Sequence, residues 1–351
     1  MNKIVQNSLF YVVVFCVTYF IYVYPFEILN ELIFNEKANR RTSFYYTIII
    51  AVLIIFYFRS YASLKPLKIF IHEGMGIGFI SFWIVTTAII VDGIFNINSY
   101  YLGLLSLSII LILCVISFYF GSKIYLKKIH IKSNKIKSDV SFVFISDVHL
   151  GSNSIKHLKK IILKLNNKNY DFLLIGGDLV DSSSFDISTL KIIKEYISCP
   201  VYFVTGNHEY YLKNSKNKIK AINNIGINHI YNNNIEVNNI NIIGIDDNLD
   251  KNKQVEIVKD KYSNEKFNLT LIHKPSIWDK IYKESDLMLS GHTHNGQIFP
   301  FNFFVKIQFK FKYGLYALNN SKLYVSSGSG TWGPKMRLGT FNEIILFHLS
   351  K

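Results

Sequence analysis

Residues 287–298 read LMLSGHTHNGQI. A run of apolar and small residues ends at Gly291, and His292 and His294 follow with one threonine between them. The apolar run has the length of a buried strand, so the two histidines stand at its carboxyl tip. The same design recurs. FVFISDVHL (142–150) ends in Asp147 and His149, FLLIGGDLVD (172–181) in Asp178, VYFVTGNHEY (201–210) in Asn207, His208 and Glu209, and LTLIHKP (269–275) in His273. One histidine after a strand is ordinarily a packed or solvated residue. Five apolar runs that all finish in metal-binding residue types form a pattern.

In extended backbone, residues i and i+2 share a face. Asp147 with His149, and His292 with His294, can therefore point the same way. Gly177, Gly206 and Gly291 let the loops turn sharply and bring backbone close to the donors. Between the apolar runs lie lysine-bearing amphipathic stretches, which predict helices near 154–167, from Asp186 onward, and near 211–223. Short strands alternating with helices predict an α/β layered domain. Such folds collect ligands in the crevice outside the carboxyl ends of their strands. NIIGIDD (241–247), DLMLS (286–290), KLYVSSG (322–328) and NEIILFHL (342–349) supply further strands, enough for a sandwich of sheets between helices.

The donors amount to two aspartates, one asparagine oxygen and four imidazoles, His208 left aside. That exceeds one tetrahedral ion. With one carboxylate bridging, each of two ions receives four protein ligands. Carboxylate and imidazole without thiolate suit Mn²⁺, Fe or Zn²⁺ better than Ca²⁺. The three cysteines, Cys16, Cys114 and Cys199, fit neither a disulfide framework nor a thiolate zinc site.

The first third of the chain is of another kind. Half of the 351 residues are hydrophobic and 15% are aromatic, too much for two wholly soluble domains. The excess is concentrated in four segments: Leu9–Phe26, Thr42–Phe58, Gly74–Val91 and Tyr100–Gly121. Each is about the ~17–25 residues a spanning helix needs, which predicts a bundle of four transmembrane helices over 1–122. With both termini on one side, that side carries Lys3, Arg59, Lys65, Lys68 and six lysines from Lys123 to Lys137; the other has only Lys37, Arg40 and Arg41. Positive charge stays cytoplasmic, so the remainder is expected in the cytoplasm, beneath an inner membrane. Residues 123–140 read as a basic juxtamembrane linker able to grip anionic headgroups. The net charge of +15 falls mostly after residue 122, as suits an anionic partner.

In this order, DVH, GDLVD, GNHE, a lone histidine and GHTH resemble the calcineurin-like metallophosphoesterase family over roughly 141–345. The tail SSGSGTWGPKMRLG (326–339) and GIDD (244–247) resemble its membrane-anchored bacterial branch. The resemblance implies a four-layer α/β/β/α domain over 141–351 and two divalent metal ions, Mn²⁺ first, with Fe or Zn²⁺ as alternatives. Carried over by position, it implies that Asp147, His149, Asp178 and His294 hold one ion. Asp178 bridges to the second, which Asn207, His273 and His292 complete. It also places His208 near a substrate phosphorus, among the catalytic residues with Asp178 and Asn207, and makes Glu209 a residue that orients its neighbours. One departure is Asn295, which stands where the branch usually has glycine; asparagine tolerates left-handed backbone.

The implied reaction is hydrolysis of a phosphodiester or pyrophosphate bond by metal-activated water. The membrane segments favour a phosphorylated amphiphile over nucleic acid, and relatives that cleave nucleotide-linked lipid precursors suggest UDP-2,3-diacylglucosamine. The rival readings are a nucleotide phosphodiesterase or nuclease, and a non-enzymatic membrane sensor or scaffold. Arg337 and Lys335 could meet a phosphate, or be surface charges. Asp181, Asp246 and Asp247 read as loop caps. VKIQFKFKY (305–313) alternates apolar residues with lysines as a half-buried or edge strand would. With Phe301, Phe303 and Phe304 it could dock the domain on a bilayer.

Overall fold

The computed structural model describes residues 3–60, 64–166 and 168–351. The chain forms two compact units: Met1–Tyr119 with Gly333–Met336, and Phe120–Trp332 with Arg337–Lys351. The first unit is helical. It contains α1 (Lys3–Thr18), a π turn (Tyr19–Val23), α2 (Tyr24–Phe34), α3 (Arg40–Ser60), α4 (Lys65–Phe95) and α5 (Ser99–Ser122), whose last residues enter the second unit. Four stretches, Ser8–Phe34, Arg40–Arg59, Lys65–Phe95 and Ser99–Ser122, are long and apolar enough to cross a membrane, and each contains one of the expected segments. Their outward faces are apolar too. Ile49, Val52 and Phe56 of α3 and Leu111, Ile112 and Val115 of α5 are all exposed, as helices bathed in lipid require and helices bathed in water do not.

The second unit runs β1 (Ile124–Lys132), β2 (Val140–Ile145), α6 (Ile155–Leu165), β3 (Phe172–Ile175), α7 (Lys191–Tyr196), β4 (Val201–Phe203), α8 (Asn207–Tyr211), α9 (Ser215–Asn224) and β5 (Ile227–His229). It continues through β6 (Asn233–Val237), β7 (Ile240–Ile245), α10 (Lys251–Lys261), β8 (Phe267–Ile272), α11 (Trp278–Ile281), β9 (Leu287–Ser290), α12 (Phe301–Gln308), β10 (Gly314–Leu318), β11 (Ser321–Val325) and β12 (Asn342–Ser350). Two six-stranded sheets result, ordered β1-β12-β2-β3-β4-β5 and β10-β11-β9-β8-β7-β6.

Three apolar cores separate four layers. Phe142, Phe144, Phe172 and Leu174 meet Leu269, Leu271, Leu287 and Leu289 between the sheets. On the outside of the first sheet, Val143, Leu173 and Ile175 pack with Leu158, Ile161 and Ile162 of α6 and Ile193 of α7. Outside the second, Ile243, Ile245 and Met288 pack with Val258, Trp278 and Ile281. Strands covered on both faces must be apolar at every position rather than at alternate ones. VSFVFI, FLLI and LMLS satisfy this, and that is why they read as uninterrupted hydrophobic runs.

Within the first sheet β2, β3 and β4 are parallel neighbours, with Ile145 opposite Ile175 and Ile175 opposite Phe203. In the second, β7, β8 and β9 are parallel, with Leu271 opposite Leu289. The carboxyl tips of adjacent strands therefore fall side by side, which positions the loops that follow them.

Two expectations are corrected. The stretch read as a juxtamembrane linker, 123–140, contains β1, a nine-residue strand paired in parallel with β12. Ile124, Ile129 and Ile131 are buried in it; the interleaved lysines hide this periodicity. Two of those lysines have partners inside the unit: Lys127 lies over the Tyr313 and Tyr324 rings, and Lys135 pairs with Asp286 at 3.0 Å. The second correction is at 305–313. Residues Phe301–Gln308 are the helix α12, while the edge of the second sheet is taken by β10, antiparallel to β11. As a helix the segment satisfies its own backbone groups, which a strand could do only by pairing with a neighbour. The helix near 154–167 is α6; residue 167 lies outside the described residues. The helix expected at Asp186 starts as a 3₁₀ turn capped by the Asp186 side chain, then becomes α7.

Candidate metal centre

Every loop that follows β2, β3, β4, β8 and β9 delivers its polar residue to one place. The imidazole Nε2 atoms of His149 and His294 face each other at 3.0 Å. His294 Nε2 is 3.4 Å from Asp147 Oδ1. A second cluster lies beside the first: His292 Nδ1 is 3.1 Å from His273 Nε2, which is 3.1 Å from Asp178 Oδ2. The same Asp178 oxygen is 3.8 Å from His149 Nε2 and 3.9 Å from His208 Nε2, so it links the two clusters. Asp147, His149 and His294 form one group able to hold a metal ion, and Asp178, His273 and His292 another.

The separations fit cations. Donor atoms ~2.1 Å from one ion and at roughly right or tetrahedral angles lie ~3.0–3.4 Å from each other. The tautomers fit as well. His273 Nδ1–H donates to the Gly176 carbonyl at 2.9 Å, which leaves the Nε2 lone pair directed at the centre. His149 presents Nδ1 to Asp181 Oδ2 at 3.4 Å and thereby turns Nε2 inward. Asn207 Oδ1 is buried and has no hydrogen-bond partner. A buried amide oxygen without a partner costs free energy; an ion is the acceptor's natural complement.

The electrostatics ask for positive charge. Burial opposes the charge on His273, yet the carboxylates of Asp178, Asp147 and Asp247 hold its pKa up at about 10. Burial and then the charge on His273 push His292 down to about 2. Asp147 is driven up by burial against the pull of His273, whereas Asp178 lies well below the usual carboxylate range because His273, His149 and His208 outweigh its burial.

The backbone is bent to make this possible. Asp147, His149, Asp178, His292 and His294 have φ of 54°, 50°, 52°, 73° and 49°, all in the left-handed region. Each such non-glycine residue costs of order 1–3 kcal/mol and persists only where the surroundings over-determine it. Asn295 joins them at 53°, so the turn survives the absence of glycine there. Gly177 has φ 88°, and a Cβ on it would stand 2.6 Å from the Gly206 nitrogen; one on Gly291 would overlap the Asp147 carboxylate.

A ring of buried groups fixes the donors. Glu209 accepts hydrogen bonds from the backbone N–H groups of Asp178, Val180 and Gly206 at 3.0, 3.0 and 2.8 Å. It thereby ties the β3 and β4 loops together. Its burial, with the Asp178 charge beside it, raises its pKa to about 7. The His292 N–H donates to Asp147 and the His208 N–H to Asp178, so the loop backbones brace the carboxylates. His208 is partly exposed, lies edge-on to His149 at 4.7 Å between ring centroids, and is drawn by burial to a pKa of about 4, a neutral imidazole at neutral pH.

Arg337 is neither a surface charge nor open to a phosphate. It is fully buried. Its guanidinium donates to Asn342 Oδ1 at 2.6 Å, to the His294 carbonyl at 3.1 Å and to the Gly330 and Ser327 carbonyls. Loop 326–330 in turn backs Asp147, with Gly330 N–H donating to the Asp147 carbonyl at 3.0 Å. Lys335 groups with the helical unit instead. Sequence reasoning missed this bracing role; the only signal was an arginine among small residues. Asp181 receives Ser152 N–H at 2.8 Å, Asp246 holds His229 at 2.8 Å and Tyr210 at 2.8 Å, and Asp247 takes Lys274 at 2.6 Å, all as loop-fixing residues.

Comparison with known proteins places this geometry in context. A family profile described as calcineurin-like phosphoesterase matches residues 140–296. An uncharacterized metallophosphoesterase of Campylobacter jejuni is 34% identical over 64% of this chain and 62% of its own length. One from Helicobacter pylori is 30% identical over 64% and 63%. A Danio rerio protein described as a transmembrane protein with metallophosphoesterase domain is 30% identical over 58% of this chain and 51% of its own. The chain thus matches less than two thirds of the length of these relatives.

Proposed function

We propose that the chain, whose residues 140–296 match the calcineurin-like phosphoesterase profile and which has four helices long and apolar enough to span a membrane, is a membrane-anchored hydrolase of phosphodiester or pyrophosphate bonds that works with two divalent ions. The observation that carries the reading is the convergence of six donor side chains from four strand tips, with imidazole nitrogens facing one another at 3.0 and 3.1 Å, supported by the buried, unpartnered Asn207 Oδ1 at a fifth tip. In this reading Asp147, His149, Asp178 and His294 hold one ion. Asp178, Asn207, His273 and His292 hold the other. When bound, such a pair lowers the pKa of water between the ions and neutralises charge on phosphate oxygens.

The rest is the work of the chain. Asp178, reached by His149 on one side and His273 on the other, keeps the two sites at a fixed spacing. His208, neutral and partly exposed, donates a ring N–H to a phosphate oxygen and holds the ester against the attacking direction. Asp181 orients His149, and the Gly176 carbonyl orients His273. We assign Mn²⁺ as the working metal, with Fe or Zn²⁺ also accommodated by this donor set. In this reading the hydrolase faces the cytoplasm, which the Lys and Arg bias of the segments flanking the apolar stretches favours. Anchoring favours a phosphorylated amphiphile, for which UDP-2,3-diacylglucosamine is the substrate to test first.

The test is the product released from membrane extracts by purified, Mn²⁺-loaded protein, identified by mass, with DNA, cyclic nucleotides and lipid diphosphates assayed in parallel. Release of a water-soluble phosphate ester from lipid supports the reading; turnover confined to DNA or cyclic nucleotides replaces it with the nuclease or phosphodiesterase one. Loading should also raise the melting temperature in step with free Mn²⁺, because the ion binds only the folded donor set.

Glu209 gives a second check. A glutamine there would turn an NH₂ group toward one of three backbone N–H donors. Glu209→Gln is expected to weaken metal binding by about 10–100-fold while the protein remains folded, read by metal titration against circular dichroism. Unchanged affinity would remove Glu209 from the support of the centre.

A further inference from the structure

We infer that α12 is an interfacial helix that lies on an anionic lipid surface and brings acyl-bearing substrate to the lip of the metal centre. The inference deepens the hydrolase reading, and its lipid contact can be tested apart from activity.

The helix is turned inside out for a soluble domain. Of its eight residues only Val305 is buried, while Phe301, Phe303, Phe304 and Ile307 are exposed, Ile307 at 85%. Phe299, just before it, is exposed as well. At 100° per residue, Phe303 and Ile307 fall about 160° from Val305 and Phe304 about 100° from it, while Phe301 lies beside Val305 at the start of the helix. Soluble proteins rarely expose so many large apolar groups side by side. The helix is also too short to cross a bilayer, which leaves lying flat in the interface as the arrangement that buries this face.

Charge identifies the surface. Residues 301–313 carry Lys306, Lys310 and Lys312 and no acidic residue. Lysines flanking an apolar face are what an interfacial helix uses against anionic headgroups. A chain with four helices able to span a membrane also keeps a bilayer within reach of its other domain, a circumstance that favours lipid over a protein partner.

Position ties the face to the chemistry. α12 starts seven residues after His294, and Phe309, its C-cap, sets its ring 5.2 Å from the ring of His292. The C-terminal end of α12 therefore adjoins the second cluster, so a lipid bound along the helix would have its headgroup at the edge of the metal centre. The alternation of 305–313 points to docking on a bilayer but not to a helix, because the helix ends at Gln308 and the alternating pattern straddles its end.

The decisive experiment uses the full chain in vesicles of phosphatidylcholine and phosphatidylglycerol. Its native cysteines are replaced and an environment-sensitive fluorophore is placed at Ile307→Cys, with Lys216→Cys on exposed α9 as reference. Quenching of the Ile307 probe, but not the Lys216 probe, by lipids brominated on their acyl chains is the expected result. An Ile307 probe untouched by brominated lipid overturns the inference, with quenching by aqueous iodide showing that water covers the face and protection from iodide showing that protein does. This readout needs no turnover, so it stands apart from the hydrolase proposal. If the protein proves active, Phe303→Ser with Phe304→Ser is expected to lower turnover of lipid-borne substrate about tenfold or more and to leave a soluble chromogenic diester within about twofold; equal loss on both would count against a role in substrate delivery.

Discussion

Asp178→Ala is expected to reduce turnover by about 10³-fold or more, because each clamp on a phosphoryl group contributes several kcal/mol and each 1.36 kcal/mol is tenfold in rate. The reason is particular to this residue. Asp178 is the one carboxylate whose oxygen approaches imidazoles of both clusters, 3.1 Å from His273 and 3.8 Å from His149. Removing it takes a donor from each site at once and leaves His273 without its principal counter-charge. Asn207→Ala, which removes only one neutral oxygen from one site, is expected to be damaging yet milder. Steady-state assays on a soluble diester, with metal content measured on the same samples, would show the ordering. A fully active Asp178→Ala protein would exclude the dinuclear arrangement. If catalysis vanished in vitro while the cellular role persisted, the domain would instead be a scaffold.

The second large effect belongs to Arg337. Its side chain touches no proposed substrate position, but it gathers the carbonyls of His294, Ser327 and Gly330 and the amide oxygen of Asn342 around one buried cation. Arg337→Ala leaves those acceptors without donors and opens a void behind His294. We expect a loss of about 3 kcal/mol or more of stability, at the upper end for single substitutions. Arg337→Lys should recover little, since an ammonium cannot span four acceptors spread over the plane of a guanidinium. Had Arg337 met phosphate, the opposite would hold: Lys would rescue part of the activity, stability would hardly change, and the substrate KM would rise. Thermal unfolding and kinetics of the two variants separate these outcomes.

Much of the molecule is legible in its residues, and the reason is physical. Strands buried on both faces leave no room for polar residues, so VSFVFI, FLLI and LMLS announce themselves; the donors at their tips follow because parallel strands end together. The four apolar stretches are visible for a similar reason, since each holds a long run with few charges, as a lipid environment requires. What hid was whatever depends on partners distant in sequence. β1 finds β12 more than two hundred residues away, and its lysines disguise a buried isoleucine row. Segment 305–313 has the alternation of a strand, yet its first residues end the helix α12 and the strand beside β11 is β10. Arg337 is an arginine whose role is set by two carbonyls of its own loop and by the His294 carbonyl of another, 43 residues before it. Periodicity reports how a segment meets its own layer; it is silent on which distant groups complete it.

The account turns on two cation sites built from those strand tips, so the direct measurement is metal stoichiometry. Protein loaded with Mn²⁺, Fe or Zn²⁺, freed of loose ion and analysed by inductively coupled plasma mass spectrometry should hold about two ions per chain, falling on Asp178→Ala substitution. A chain that retains none, or only one, under every loading condition would contradict it.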